Sequence, residues 1–282
     1  MIAPLPDLLI EPIVRAALAE DLGRAGDVTS SALLDPGQRL TAVFAARAEG
    51  RVAGVGCARL ALSLLDPTAR FELVAADGED VSAGEGTIAR VEGDALAVLG
   101  AERVALNLMG RLSGVATLTR AYVRAVEGTN ARIVCTRKTT PGLRALEKYA
   151  VRCGGGVNHR FGLDDAILIK DNHIAACGGV AAAMRRAKAA AGHLMPIEIE
   201  VDTLDQLDQA LPHRPDVIML DNFALADLAE AVRRVAGAVT LEASGGVNLA
   251  TVRAIAETGV DAISVGALTH SAPVLDIGLD IA

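Results

Sequence analysis

The chain has 282 residues, a formal net charge of -8 and 51% apolar residues, with four Phe, two Tyr and no Trp. That length exceeds one small core and suits a large barrel domain, alone or beside a smaller domain, packed mainly from Ala, Val, Leu and Ile. Net negative charge with few aromatics argues against nucleic-acid binding, and no uncharged apolar run of about 18 residues exists to span a membrane.

The first residues, "MIAPLPDLLIEPIVRAALAEDLG", lack a basic start and reach acids early, which argues against a signal peptide. Residues 1–112 read as an α+β sandwich domain ending in a linking helix. "RLTAVFAARAEGRVAG" alternates apolar and polar residues, with a turn expected near Glu49-Gly50. "CARLALSLLD" predicts a helix, and "RFELVAADG" and "GTIARVEG" predict further short strands. A long helix is expected over 95–126, with Gly110 and Gly114 as points where it could break or kink. Arg103, Asn107 and Arg111 recur on it every four residues, a stripe that periodicity assigns equally to solvent or to a partner.

From 113 to 282 one pattern repeats. Short β-rich apolar runs, "RIVCT", "AILIK", "IEIEV", "VIMLD", "VTLEA" and "AISVG", alternate with amphipathic helical segments. Buried strands alternating with helices imply a parallel sheet. Six units, or seven, make an α/β barrel, TIM-like but open or incomplete, whose site belongs at the C-terminal strand ends. The extreme C-terminus is free to pack back on the first domain. The strand ends carry Arg137-Lys138, then Lys170-Asp171-Asn172, Glu200 and Asp202, Asp221-Asn222, Glu242 with Ser244-Gly245-Gly246, and Gly266. Charges in register on successive strands make one mouth, with cations early and carboxylates late. "EASGGV" and "SVGAL" place small residues directly before expected helix starts, where backbone N–H groups can bind phosphate.

The stretch from Thr136 to Ile174 concentrates seven fixed cations in this acidic chain: Arg137, Lys138, Arg144, Lys148, Arg152, Arg160 and Lys170. Arg144, Lys148 and Arg152 follow one helical stripe with Glu147 among them and predict a solvated face. Arg137, Lys138 and Lys170 stand at strand ends and predict a polyanion site. The scattered Cys57, Cys135, Cys153 and Cys177 predict free, mostly buried thiols in a reducing cytoplasm, and the Cys and His spacings fit no zinc pattern. Residues alone leave three rivals open: a Schiff-base aldolase using Lys170, a glycosidase pairing Glu200 with Asp221, and a sensor that binds an anionic metabolite without turnover.

The motifs "EDLGRAGDVTS", "AERVALNLMGRLSGVAT", "TRKTTPGLRALEKYAV", "GGGVNHRFGLDDAILIKDNHI", "IEIEVD", "MLDNF", "EASGGV" and "VGALTHS" together resemble quinolinate phosphoribosyltransferase. The resemblance runs the length of the chain in order. It departs at "GDALAVLGAER", where Asp94 and Leu96 stand where the family often has Pro and Arg. It implies transfer from phosphoribosyl pyrophosphate to quinolinate with decarboxylation, magnesium as cofactor, and a homodimer with shared active sites, compatible with a higher oligomer. It implies quinolinate-binding cations at Arg137, His159, Arg160 and Lys170, with Thr136 and Lys138 beside them. It further implies an arginine lent by the partner subunit at Arg103, and carboxylates near ribose and magnesium at Glu200 and Asp221. Catalytic weight falls on Lys138, Lys170, Glu200 and Asp221. Phosphate loops are implied at Ser244, Gly245 and Gly246 and at Val265, Gly266 and Ala267, with His270 as a further contact.

Overall fold

The computed structural model describes residues 2–84 and 86–282. It opens with helices α1 (Asp7–Leu22) and α2 (Val28–Leu33), then β1 (Arg39–Ala46), β2 (Gly50–Arg51), α3 (Val55–Leu65), β3 (Arg70–Leu73), β4 (Asp80–Val81) and β5 (Thr87–Asp94). The long helix α4 (Ala95–Ala125) follows, then β6 (Arg132–Val134), α5 (Arg144–Cys153), β7 (Ile167–Ile169), α6 (Asp171–Cys177), α7 (Val180–Ala190), β8 (Ile197–Val201) and α8 (Leu204–Ala210). The chain ends through β9 (Val217–Asp221), α9 (Leu225–Val235), β10 (Thr240–Ser244), α10 (Val252–Glu257), β11 (Ala262–Ser264), α11 (Ala267–His270) and β12 (Ile277–Ile281). Among the described residues no helix is long and apolar enough to cross a membrane.

Two compact units form. One takes Met1–Arg120, Thr139–Gly155 and Leu268–Ala282; the other takes Ala121–Lys138 and Gly156–Ala267. Both α5 and the C-terminal strand join the first unit.

In the first unit an antiparallel sheet runs β12-β1-β5-β3, so β12 completes an edge from the far end of the sequence. The residues after β1 do not fold back as a hairpin: β2 pairs with β4 instead. Helix α1 buries Ile10, Val14 and Leu18, one face at four-residue spacing, against α3. Helix α4 is unbroken at both of its suspect glycines. Gly114 is needed for close approach, since a Cβ there would lie 1.9 Å from the Pro273 carbonyl oxygen.

The solvated stripe expected on α5 is not there. Leu146, Glu147, Lys148, Tyr149, Ala150, Val151 and Cys153 are all buried, and only Arg152 of the three basic residues is exposed. The four-residue spacing is real, but packing encloses the helix on more than one face. The fully buried Glu147 accepts from Arg111 Nη2 at 2.8 Å, Thr140 N at 3.0 Å and Thr140 Oγ1 at 2.8 Å. Arg111 also donates to the carbonyls of Thr269 and Ala272. It thus turns inward, whereas Arg103 on the same stripe has a side chain 63% exposed.

The second unit is a six-stranded parallel sheet in the order β6-β11-β10-β9-β8-β7. The first strand pairs with the last and the others follow in sequence, which is the order of a barrel left open between β6 and β7. A parallel bridge, Val134 to Val157, partly fills that side. Side chains alternate along each strand. In β8, Ile197, Ile199 and Val201 are buried on one face, while Glu198 and Glu200 share the other.

Candidate active site

The glutamate-bearing face of the sheet lines a cavity of about 400 Å³ in the second unit. Residues reach it by strand periodicity: Leu168 and Lys170 from β7 and its end, Glu200 from β8, Met219 and Asp221 from β9, Glu242 and Ser244 from β10, and Ser264 from β11. Register keeps them level, with Glu200 opposite Met219, Met219 opposite Glu242, and Asp221 opposite Ser244. Thr136, Arg137 and Lys138 enter from the chain after β6, and His159 and Arg160 from the chain before β7.

Two cations are unusual. Arg137 Nε and Arg160 Nε are both buried and have no hydrogen-bond partner. Arg160 spends Nη1 on the Ala166 carbonyl at 3.1 Å. Burial, first, and then the neighbouring Arg137 charge hold the Arg160 guanidinium below its ordinary range. Guanidinium cannot shed its proton in a protein, so two adjacent, under-satisfied cations make a site for an anion with paired acceptor oxygens.

Lys170 Nζ donates to Glu200 Oε2 at 3.0 Å, and Asn222 Nδ2 donates to Asp221 Oδ2 at 2.6 Å. The second oxygen of each carboxylate is the donor that a hard divalent cation would take, usually together with substrate phosphate. Lys138 is exposed, and its backbone N–H donates to Thr136 Oγ1 at 3.0 Å.

Glu242 of the cavity lining has a buried neighbour, Glu198, that the strand ends do not include. Glu198 was not singled out because it lies mid-strand, although its two-residue spacing from Glu200 was a usable signal. Glu198 and Glu242 are 7% and 5% exposed. Glu198 Oε2 lies 3.0 Å from His159 Nε2, and Glu242 Oε1 lies 3.7 Å from the same atom. Burial, first, and then the Glu198 charge push the Glu242 carboxyl up to about 7. The backbone N–H of Arg160 donates to His159 Nδ1 at 2.8 Å. An accepting Nδ1 carries no proton, so this hydrogen-bond pattern assigns a neutral ring. His159 therefore sits among the expected binding cations as an uncharged donor.

The glycine loops are partly as expected. Gly245 has φ +94°, and a Cβ there would lie 2.1 Å from Asn222 Oδ1. Only glycine lets this turn press against the end of β9. Gly246 does not directly precede a helix, however. Residues 247–251 intervene before α10, held by Asn248 Oδ1, which accepts from the backbones of Ala250 and Thr251. Gly266 does stand directly before α11, between Val265 and Ala267. Gly245, Gly246, Val265, Gly266 and Ala267 belong to the second unit without being among the cavity's lining residues. Arg103 and His270 belong to the first unit. Arg103 borders a separate cavity of about 480 Å³ with Asn107 and Asp276, and His270 Nδ1 lies 2.6 Å from Ser271 Oγ.

Family profiles match nearly the whole chain: the quinolinate phosphoribosyl transferase N-terminal domain over residues 27–113 and its C-terminal domain over 115–280. A Mycobacterium leprae nicotinate-nucleotide pyrophosphorylase [carboxylating] is 48% identical over 273 residues, covering 95% of each chain. A probable enzyme of the same name from Bacillus subtilis is 45% identical over 274 residues, covering 97% of this chain and 94% of its own. Among solved structures, a Francisella tularensis nicotinate-nucleotide pyrophosphorylase superposes with a TM-score of 0.95 at 39% identity, covering 100% of this chain and 99% of that one.

Proposed function

Because the chain belongs to the quinolinate phosphoribosyltransferase family, we propose that its cation-lined cavity seats quinolinate against phosphoribosyl pyrophosphate. The reaction is the family's: the phosphoribosyl group passes to quinolinate, and nicotinate mononucleotide, pyrophosphate and carbon dioxide result. The observation that carries the site assignment is the pair of guanidinium groups, Arg137 and Arg160, whose buried Nε donors lack partners. Adjacent ring carboxylates are the anion that satisfies both.

Chemistry follows from charge placement. The pyridine nitrogen attacks the anomeric carbon as the carbon–oxygen bond to pyrophosphate breaks, and the ring nitrogen gains positive charge. Glu200 and Asp221 face this centre and stabilise the cationic ribose that forms in between. Carbon dioxide then leaves from the carbon beside the ring nitrogen. The electron pair left behind is held next to that positive charge until a proton replaces it. Arg137, Arg160 and Lys170 hold the ring in place throughout, so most of the catalysis is orientation and fixed charge.

Glu200 and Asp221 form an oxygen-only donor pair that fits magnesium. Bound there with the substrate phosphates, the ion would neutralise charge on the departing pyrophosphate. Lys138 stands nearer the pyrophosphate, and the loops at Ser244–Gly246 and Val265–Ala267 take the ribose phosphate, with His270 contributing beside them. The protein works as a homodimer in the cytoplasm, and Arg103 serves the partner's cavity. In support, Arg103 is 63% exposed and its nearest acidic partner among the described residues is Glu102 at 3.9 Å. The four free thiols fit a reducing compartment.

Two measurements test the assignment. Arg160→Ala should weaken quinolinate binding by about thirtyfold or more in titration calorimetry, with phosphoribosyl pyrophosphate binding retained; unchanged quinolinate affinity in a folded variant would refute it. Arg103→Ala and Lys170→Ala should each be nearly inactive, yet co-refolding them at equal amounts should restore roughly a quarter of full activity, because half the dimers are mixed and each carries one intact site. No recovery in proven mixed dimers would return Arg103 to its own chain.

A further inference from the structure

We propose that Glu198 is a positioning residue: from its buried place in β8 it clamps the His159 imidazole in its Nε2–H form, and the clamped ring sets Arg160 for the quinolinate carboxylate. This rests on the assignment of Arg160 to quinolinate given above.

Each ring nitrogen has a task. Nδ1 accepts the Arg160 backbone N–H at 2.8 Å, so the ring proton lies on Nε2. Nε2 then donates to Glu198 Oε2 at 3.0 Å. Glu242 Oε1, at 3.7 Å, is too far to share that proton by a normal hydrogen bond. The His159 side chain is only 11% exposed and Glu198 8%, so neither partner exchanges freely with water. A buried carboxylate locks one tautomer and one ring angle of its histidine, as carboxylates hydrogen-bonded to metal-bound histidines do elsewhere. The locked ring fixes the backbone of the next residue, and that residue carries the guanidinium. Glu198 also steadies Arg160 by charge, opposing the repulsion from Arg137.

The same three side chains, His159, Glu198 and Glu242, bring their ligand atoms within 4.8 Å of one another. A metal centre is nonetheless the wrong reading. A ring nitrogen that binds metal must offer its lone pair, and Nε2 carries the proton. Moving that proton to Nδ1 would set it against the Arg160 N–H. The Oε1 atoms of Glu198 and Glu242, buried and without hydrogen-bond partners, belong to a buried acidic pair, whose service to the reaction runs through the imidazole.

The test starts with the unaltered protein. Nitrogen-15 labelling of histidine, with His159 assigned by its loss in His159→Gln, reads the tautomer by two-bond proton–nitrogen correlation. The expected pattern at neutral pH is Nε2–H with unprotonated Nδ1; an imidazolium or an Nδ1–H ring overturns the proposal. In Glu198→Ala the tautomers should mix, and the quinolinate KM should rise about tenfold while kcat and the phosphoribosyl pyrophosphate KM stay within about threefold. Glu198→Gln retains an acceptor oxygen and should restore both the tautomer and the quinolinate KM to within about threefold of the original. An alanine variant with unchanged quinolinate KM, or a glutamine variant as impaired as alanine, overturns the clamp. Arg160→Ala is run beside them: unchanged quinolinate binding there removes the target of the positioning and overturns the second half of the proposal, whatever the tautomer.

Discussion

Replacing Glu242 by glutamine should make the protein more stable in alkali while leaving it unchanged in mild acid. The carboxyl is 5% exposed and sits beside Glu198, and its folded value is about 7 against an ordinary 4.5. The folded state therefore holds a proton that the unfolded chain releases between these values. Stability falls as pH rises through that window. Below 4.5 both states are protonated and no cost exists; above 7 the folded protein must carry a buried charge, and the full cost is present. The difference between the two values corresponds to about 3 kcal/mol. Glutamine keeps the shape and a polar end but cannot ionise. Urea unfolding at fixed protein concentration, across mildly acidic to mildly alkaline pH, should give a stability curve about 3 kcal/mol flatter for Glu242→Gln than for the original chain. Parallel curves for the two proteins would refute the reasoning and mean that the carboxyl is charged throughout.

Three further outcomes are expected. Nicotinate, which lacks the second carboxylate, should be a poor substrate: leaving one of the two guanidinium groups unmatched in the substrate-filled cavity costs roughly 3 kcal/mol, so its kcat/KM should fall about a hundredfold below that of quinolinate, and equal values would sink the two-carboxylate reading of Arg137 and Arg160. Gly245→Ala forces a Cβ into a backbone at φ +94° and into contact with Asn222 Oδ1; the phosphoribosyl pyrophosphate KM should rise about tenfold with quinolinate binding little changed, and the reverse pattern would argue against a phosphate loop. Gly114→Ala must push the Pro273 carbonyl away from α4; it should cost about 2 kcal/mol in urea unfolding, and an unchanged midpoint would mean that the contact relaxes freely.

The order of elements in the second unit was legible because each strand is a short aliphatic run closed by a polar residue, and each helix between them carries its own periodicity. "IEIEV" and "VIMLD" could hardly be anything but buried parallel strands, and they are β8 and β9. Their polar ends then had to share one mouth, which brought Arg137, Lys170, Glu200 and Asp221 together without any coordinates. Local pattern could not reveal which positions become enclosed from several sides. Lys148 looked like one member of a solvated stripe, yet it is 2% exposed, because burial depends on elements remote in sequence. Gly110 and Gly114 read as weak points of a helix, but their meaning came from residues 273–275, far along the chain. The return of β12 to pair with β1 is likewise invisible in the sequence of either strand. Most telling is Glu198. Its alternation with Glu200 was plain in the sequence, but its role waited on the approach of His159 from a different loop. Periodicity along one strand sets the direction of a side chain; the partner that it meets is set by how the other strands and loops of the sheet pack around it.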